Sequence, residues 1–528
     1  VSTFVPPDLD PSRQAGPALP EDGVDASVPE RIIHRQWVIG GGILLVQLVA
    51  LLLLSAYLFH RFDLTDDFAS YNQAFSLIWH GHLNPVDTIH SPSFPFWQNH
   101  FELAMWPLST LSLLWPRSLW LLWMQDVAIV AAEAIAALWI TRYLAVLGAR
   151  RSAIFGALAF VLLLTNAWWY EAASFDVHFE ILGIPFVLLA AYSLWSGSTT
   201  RAFVAAALAL LFGDVVATYI ILVGLAAMLS PRVRREGRLA AASGMVVLAI
   251  AWFVLATALH ANQGSGIVSN YGYLVSASPH ASSAHVLGHI VLEPGRVARE
   301  VFGQWRNLGH LLASSGIVGV LSPWGFFMYV GVAGLSALNE NKAFVSPQIA
   351  FQTLVVVPFM VVGTVAVLLA VAGVRSRSSG GTRRSRGKHR AGQPEAADRP
   401  TVGSSRPQLA VALGAIVLVL ALVQNVPLIS QLRSQWWRVN PPAAATLRAA
   451  LPLVPGDAQV IASQGVIGRF AGREFVYPLL TAPQAFPIAP GHPVVFVIVP
   501  KTGLETMPAS SAQSDIGSVM GLRGVRVL

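Results

Sequence analysis

Asp66 and Asp67 stand a few residues past the end of a long apolar stretch, in the run RFDLTDDFASYNQAF, and they head a loop that closes in QNHFELAMWPL. A carboxylate placed there meets water at the edge of a bilayer, where it can take a proton from a substrate that is itself half in the membrane. A second patch, WWYEAASFDVHFE, carries Asp176, His178 and Glu180 at alternate positions, so an extended backbone turns all three to one face. The simpler role for the two aspartates is to cap the helix that follows, since a carboxylate satisfies the free N–H groups of a first turn. For the trio the simpler role is polar capping of the next span, with phosphate orientation or a divalent cation as alternatives.

The elements that must position these groups are membrane spans. Trp37 to Phe59 carries no charge and exceeds the roughly 20 residues needed to cross a bilayer. Residues 1–36 read as a disordered cytoplasmic tail before a signal anchor, not as a cleaved secretory signal. With 54% hydrophobic and 12% charged residues and a mean hydropathy of +0.59, the chain has about half the charge fraction of a soluble domain. The segment 375–400 holds eight Lys or Arg against two acids, so nearly all of the net charge of +7 sits in one loop. That pattern fits a cytoplasmic loop facing anionic lipid and argues against nucleic acid as a partner. The chain has no Cys, which excludes disulfides, thiol nucleophiles and Cys-based metal sites.

Placing every Arg-rich loop in the cytoplasm orders the spans. The result is an α-helical polytopic membrane protein of about eleven transmembrane helices, with its N-terminus in the cytoplasm and its C-terminus outside. The membrane module covers 37–373 and has a large first external loop over 60–118. A basic cytoplasmic linker (374–407) and a last span (408–428) follow. A small extracytoplasmic α/β domain occupies 429–528, where AQVIAS, REFVYPL, HPVVFVIVP and GVRVL read as strands. Two short hydrophobic helices meet at Gly213-Asp214, and an Asp in such a hairpin is costly unless it lines a cavity. Two more short segments break at Ser322-Pro323, and a His-rich external loop is expected over about 260–309. Arg61 and Lys342 are cations near the interface, fit either to hold a phosphate or to anchor the fold by snorkelling. His80 and His82 make a poor zinc site and read as loop surface.

Three stretches carry a resemblance. DDFASYNQAFSLIWHGH resembles a DLGxxDQAxW pattern, NHFELAMWPL an HFxP pattern and FDVHFEILGIPFVLLAAYSL an FDFHPExxAxP pattern, all of an uncharacterised bacterial family of multi-span membrane proteins. That family is in turn similar to the GT-C superfamily of membrane glycosyltransferases, which take sugars from polyprenyl-phosphate carriers and keep an acidic base in the first external loop. The resemblance implies a GT-C-like fold in a bacterial plasma membrane, a polyprenyl-phosphate sugar donor and a cell-envelope glycan, lipid or protein acceptor. It implies Asp67 as the base with Asp66 as the second choice. It groups Gln73, His100, Glu102, Asp176, His178, Glu180 and Asp214 with the cations Arg61 and Lys342 around the substrates, with no cofactor beyond an optional divalent cation. The sequence departs from the family at Asn72, where a second Asp is usual, at Gly213, in place of a Lys-Glu-Asp run, and at Phe351-Gln352, in place of a polar, often His-containing pattern. A transporter or lipid flippase and a catalytically inactive envelope scaffold are the alternatives. A transporter is expected to place ionisable groups near the midplane and to show repeated halves, and no repeat is visible here.

Overall fold

The computed structural model describes residues 27–90, 95–99, 101–113, 118–145, 147, 149–235, 237–259, 266–275, 282–349, 351–373, 406–435, 439–479, 488–499 and 509–521. Six helices among them are long and apolar enough to cross a membrane: Val38–His60, Leu119–Leu144, Arg151–Ser174, Phe179–Ser196, Leu239–Leu259 and Arg406–Ser430. Five further apolar helices are shorter, at Thr199–Leu210, Asp214–Leu229, Ser283–Leu292, Pro323–Leu338 and Val356–Val371. Against an expectation of about eleven spans, six described helices have the length to cross and five are shorter. At 1.5 Å per residue a 16-residue helix covers about 24 Å, short of a hydrocarbon core of about 30 Å. The His-rich stretch expected as a loop contains the helices Gly266–Tyr271, Ser283–Leu292 and Pro294–Gly303 and the start of Trp305–Ser314.

Phe179–Ser196 is the helix most enclosed by its neighbours, whereas the Val38–His60 and Leu239–Leu259 segments turn most of their apolar side chains outward. In a bilayer those outward residues face lipid. The packed interior is aromatic: Trp139, Trp168, Trp169 and Trp324 are fully buried, and Trp139 meets Trp324 edge to face at 5.0 Å. Burying four indoles removes a large apolar area while edge-to-face geometry keeps like-charged ring faces apart.

After the Arg406–Gln435 helix the chain forms a three-stranded parallel sheet, with β1 (Gln459–Ser463) between β2 (Val476–Leu479) and β3 (Val494–Val497), and a helix, Ala509–Met520, follows. Every residue of β1 is buried, as befits a central parallel strand covered on both faces. The fourth expected strand, GVRVL, lies outside the described residues. The sheet does not form a core by itself. Val460, Ala462, Ile467, Phe470 and Val476 pack in one cluster with Phe62, Ala69 and Ile89 from the first loop. Helix α1 (Ser27–His60), helix α2 (Asp66–Trp79) and the sheet are therefore welded at one end of the helical body.

The weld is tight at Gly468. Its N–H donates to the Leu64 carbonyl at 3.0 Å, its own carbonyl accepts from Asn72 Nδ2 at 2.8 Å, and a Cβ added there would lie 2.6 Å from Leu64 Cβ. Only a residue without a side chain permits that approach. Gly468→Ala is expected to cost about 1–3 kcal/mol through overpacking. The readouts are a lower melting temperature in detergent and faster protease cleavage in the first loop.

Candidate functional site

Helix α2 starts at Asp66, and its N-cap Thr65 makes no side-chain capping bond of its own. Asp176 supplies the cap from more than a hundred residues away. Its carboxylate accepts from Thr65 N at 2.9 Å and from Phe68 N at 3.3 Å, and also from the Thr65 hydroxyl. The capping expected of Asp66 and Asp67 is thus done by Asp176, which is itself buried. The Asp176 segment is clamped by Gln125 of the Leu119–Leu144 helix. Gln125 Nε2 donates to the Ala172 carbonyl at 2.9 Å, and its Oε1 accepts from His178 N at 2.8 Å.

Released from capping, Asp67 turns toward His178, with Oδ2 3.8 Å from Nε2. The His178 ring lies flat against Phe351, with centroids 3.5 Å apart, and stacks on Phe175 on the same side chain run at 5.5 Å, so its orientation is set by packing. The Asp67 side chain is 36% exposed and His178 only 7%, which makes Asp67 the open member of the pair. Burial first, then the neighbouring carboxylates Asp66, Asp176 and Glu180, push the Asp67 pKa up to about 8, opposed by His90. Because a third of the side chain still meets water, solvent moderates the shift; its direction follows from the negative charge around it.

His90 is the functional candidate that reading the sequence passed over. Its Nδ1 lies 2.9 Å from Asp87 Oδ2, and Asp87 is buried and held by the Ser70 hydroxyl at 2.8 Å and the Ile89 N–H at 3.0 Å. Although burial opposes it, the bond and charge of Asp87, with Asp67 and Asp66 beyond, raise the His90 pKa to about 9. The charge of Asp87 thus favours the protonated ring, and Asp67 and Asp66 add to the effect. The Asp87-x-x-His90 spacing was the available signal.

Glu102 and Glu180 are also brought to this end of the molecule. Tyr71 donates its hydroxyl to Glu102 Oε1 at 3.0 Å, and burial raises the Glu102 pKa well above the usual carboxylate range, with Glu180 adding to the effect. Gly213, at φ +137°, lets the tip of the helical hairpin come against Glu102, where a Cβ would lie 3.7 Å from Glu102 Cγ. Asp214, next in the chain, borders a cavity of about 300 Å3 lined by both polar residues, among them Thr218, Tyr219 and Asn270, and apolar ones, among them Phe253, Leu287 and Val332.

The other expected residues are committed elsewhere. Gln73 is fully buried, its amide bonded to Thr88 at 2.7 and 2.9 Å and to the Glu474 carbonyl at 2.8 Å, so it joins the loop to the sheet. Arg61 is buried and donates to the Val439 carbonyl, again a link to the C-terminal unit. Lys342 pairs with Glu300 at 3.0 Å and with the Tyr273 hydroxyl at 2.8 Å. Asp66 accepts from Gln464 Nε2 at 2.6 Å. His100 lies outside the described residues. Among the described residues no group of three or more His, Asp or Glu is arranged to hold a metal ion, and the Asp176 oxygens are already occupied by Thr65 and Phe68.

Apolar helices of membrane length with a polar cluster gathered at one end define a multi-pass membrane protein. The chain belongs to the family described as Predicted membrane protein (DUF2079), whose model matches residues 61–486, the region holding every charged group of the Asp67 cluster. None of the curated proteins matches it. Two solved structures of ArnT from Cupriavidus metallidurans are similar at 13% identity, each over 82% of this chain and 85% of that one. The structure bound to undecaprenyl phosphate has a TM-score of 0.40 and the apo structure 0.39.

Asp176→Ala leaves the buried first turn of α2 without its acceptor and is expected to cost about 1–3 kcal/mol, read as a lower melting temperature. The raised Asp67 pKa has the opposite signature to a salt-bridged carboxylate. Between its usual 3.8 and about 8 the folded protein holds a proton that the unfolded chain has lost, so stability falls as pH rises through that window. Melting curves of Asp67→Asn are expected to be flatter than wild type from about pH 4 to about pH 8, and parallel curves would remove the shift.

Proposed function

We propose that this protein is a membrane glycosyltransferase of GT-C type, which moves a sugar from a polyprenyl-phosphate carrier to a cell-envelope acceptor at the external face of a bacterial plasma membrane. The observation that carries the proposal is the half-exposed Asp67 carboxyl 3.8 Å from the packed His178 ring, on the end of the helical body where the first loop sits. In the proposed step Asp67, in its ionised form, takes the proton of an acceptor hydroxyl. The acceptor oxygen bonds to the anomeric carbon, and the bond from that carbon to the carrier phosphate oxygen breaks, with the electron pair leaving on the phosphate. A base with a raised pKa is a stronger proton acceptor once ionised.

The acidic surroundings suit sugar and phosphate better than a count of carboxylates suggests. A carboxyl held neutral by burial, as at Glu102, can donate a hydrogen bond to a sugar hydroxyl or a phosphate oxygen where an ionised one would repel it. The His90 cation, kept charged by Asp87, is the group suited to the departing phosphate. The cavity beside Asp214, with polar and apolar lining residues, fits an amphiphilic carrier.

One observation favours the transporter reading. Glu133, 1% exposed within the Leu119–Leu144 helix, is bonded by Gln47 Nε2 at 3.2 Å, and Asp126 is buried two turns away. Ionisable groups at such depth often line ion paths. Flux of a lipid or ion that is lost in Glu133→Gln and kept in Asp67→Asn would favour that reading.

Asp67→Asn keeps the size of the side chain and removes its capacity to take a proton. In a transfer assay with polyprenyl-phosphate sugars, at equal expression, the variant is expected to lose about a hundredfold or more in rate. Asp66→Asn, which can keep its bond with Gln464, is the matched control. Wild-type rates in Asp67→Asn would remove it from the mechanism.

A further inference from the structure

Helix α2 has a second polar face. Asn72, Phe75, Ser76, Trp79 and His80 recur at i, i+3, i+4, i+7 and i+8, which gathers them on one side, about 150° around the axis from Asp67 at 100° per residue. This side forms one wall of a cavity of about 720 Å3, and the end of α1 and the C-terminal unit form the others. Arg448, Arg469, His60 and His80 line it, and among the described residues no Asp or Glu does.

The two arginines are held in place. Arg469 Nη1 donates to the Phe59 carbonyl at 2.6 Å while its guanidinium lies 3.9 Å over the Phe59 ring. Arg448 Nη2 donates to the His60 carbonyl at 3.2 Å. Both bonds cap the C-terminal carbonyls of α1, which is sufficient structural reason for the residues to be there. Capping does not exhaust them, because a guanidinium carries five donors in a planar fork suited to phosphate, and Arg448 is exposed. A cap therefore also fixes the direction of two cations on one cavity wall, which lowers the entropy lost on binding an anion. Phe75 and Trp79 add ring faces beside the Ser76 and Ser112 hydroxyls, a mixture suited to a sugar ring or an acyl-glycerol backbone.

We propose that this cavity binds a phosphate-bearing ligand, with the phosphate at Arg448, Arg469 and His60 and the attached group against Phe75 and Trp79. It is a site separate from the Asp67 cluster, on the other side of α2, and it does not rest on the transferase reading. The phosphate can belong to a soluble phosphosugar or to the headgroup of a membrane lipid, since the cavity begins where α1 leaves the apolar stretch.

The test uses the full chain in nanodiscs of zwitterionic lipid. Glucose 1-phosphate is titrated by calorimetry, and in a second arm phosphatidylglycerol is mixed into the disc and its retention read by native mass spectrometry. Binding in the first arm identifies a soluble ligand, and retention in the second alone identifies a lipid headgroup. Gly472→Asp sets a carboxylate at the cavity, its Cβ in ordinary contact 3.7 Å from Ser76 Oγ, and leaves both arginine caps untouched. It is expected to weaken binding about tenfold or more, whereas Gly472→Asn, equal in size and neutral, stays near wild type. Arg448→Gln is expected to weaken it as well. Failure of wild type to bind either probe, or equal binding by Gly472→Asp and Gly472→Asn, would overturn the proposal.

Discussion

The site depends on one buried carboxylate. Asp176 sits where an extended loop passes the first turn of α2, and its acceptors satisfy donors that would otherwise be stranded without water. An uncompensated buried N–H costs a kilocalorie or more, so the loop and the helix can separate only by breaking several bonds together. The same contact carries His178, two residues on, to within 3.8 Å of Asp67, one residue into the helix. Positioning and chemistry thus fall to adjacent residues, which explains why Asp67 can be left half open while its neighbours are fully used.

The burial that makes Asp67 and Glu102 unusual acids also rules out reading them as a simple negative patch. Burial pushes the Glu102 carboxyl, bonded by Tyr71, well above the usual carboxylate range. His90 moves toward its charged form instead, because Asp87, tied down by Ser70 and main-chain donors, meets the ring. Groups whose proton affinities are perturbed in this way cluster at functional sites.

The spans, the strands of the sheet and the pairing of Asp67 with the 176–180 patch were legible because each leaves a local mark: an apolar run of fixed length, β-branched residues between Gly and Pro, and polar residues at spacing two. The allocation of tasks within the cluster was not. Nothing in RFDLTDD says that its cap comes from Asp176 instead of its own aspartates, because a cap bond links residues remote in sequence. Gln73 and Arg61 looked available for substrate because their partners, Glu474 and Val439, lie hundreds of residues downstream. The short helices are less legible for a different reason: hydropathy records how apolar a segment is, whereas whether it spans depends on where its neighbours break it.

The shared core of the first loop and the terminal sheet bears on how the molecule is made. Phe62 and Ala69 emerge from the ribosome early, and Ile467 and Phe470, which cover them, some four hundred residues later. Through that interval the loop carries α2 with part of its packing surface bare, and loop closure over so long a chain is entropically slow. The Asp67 end of the protein is therefore the last part to become rigid, completed only when the Arg406–Gln435 helix and the sheet after it have been made. A chain stalled before that point would keep its earlier helices and lack the weld.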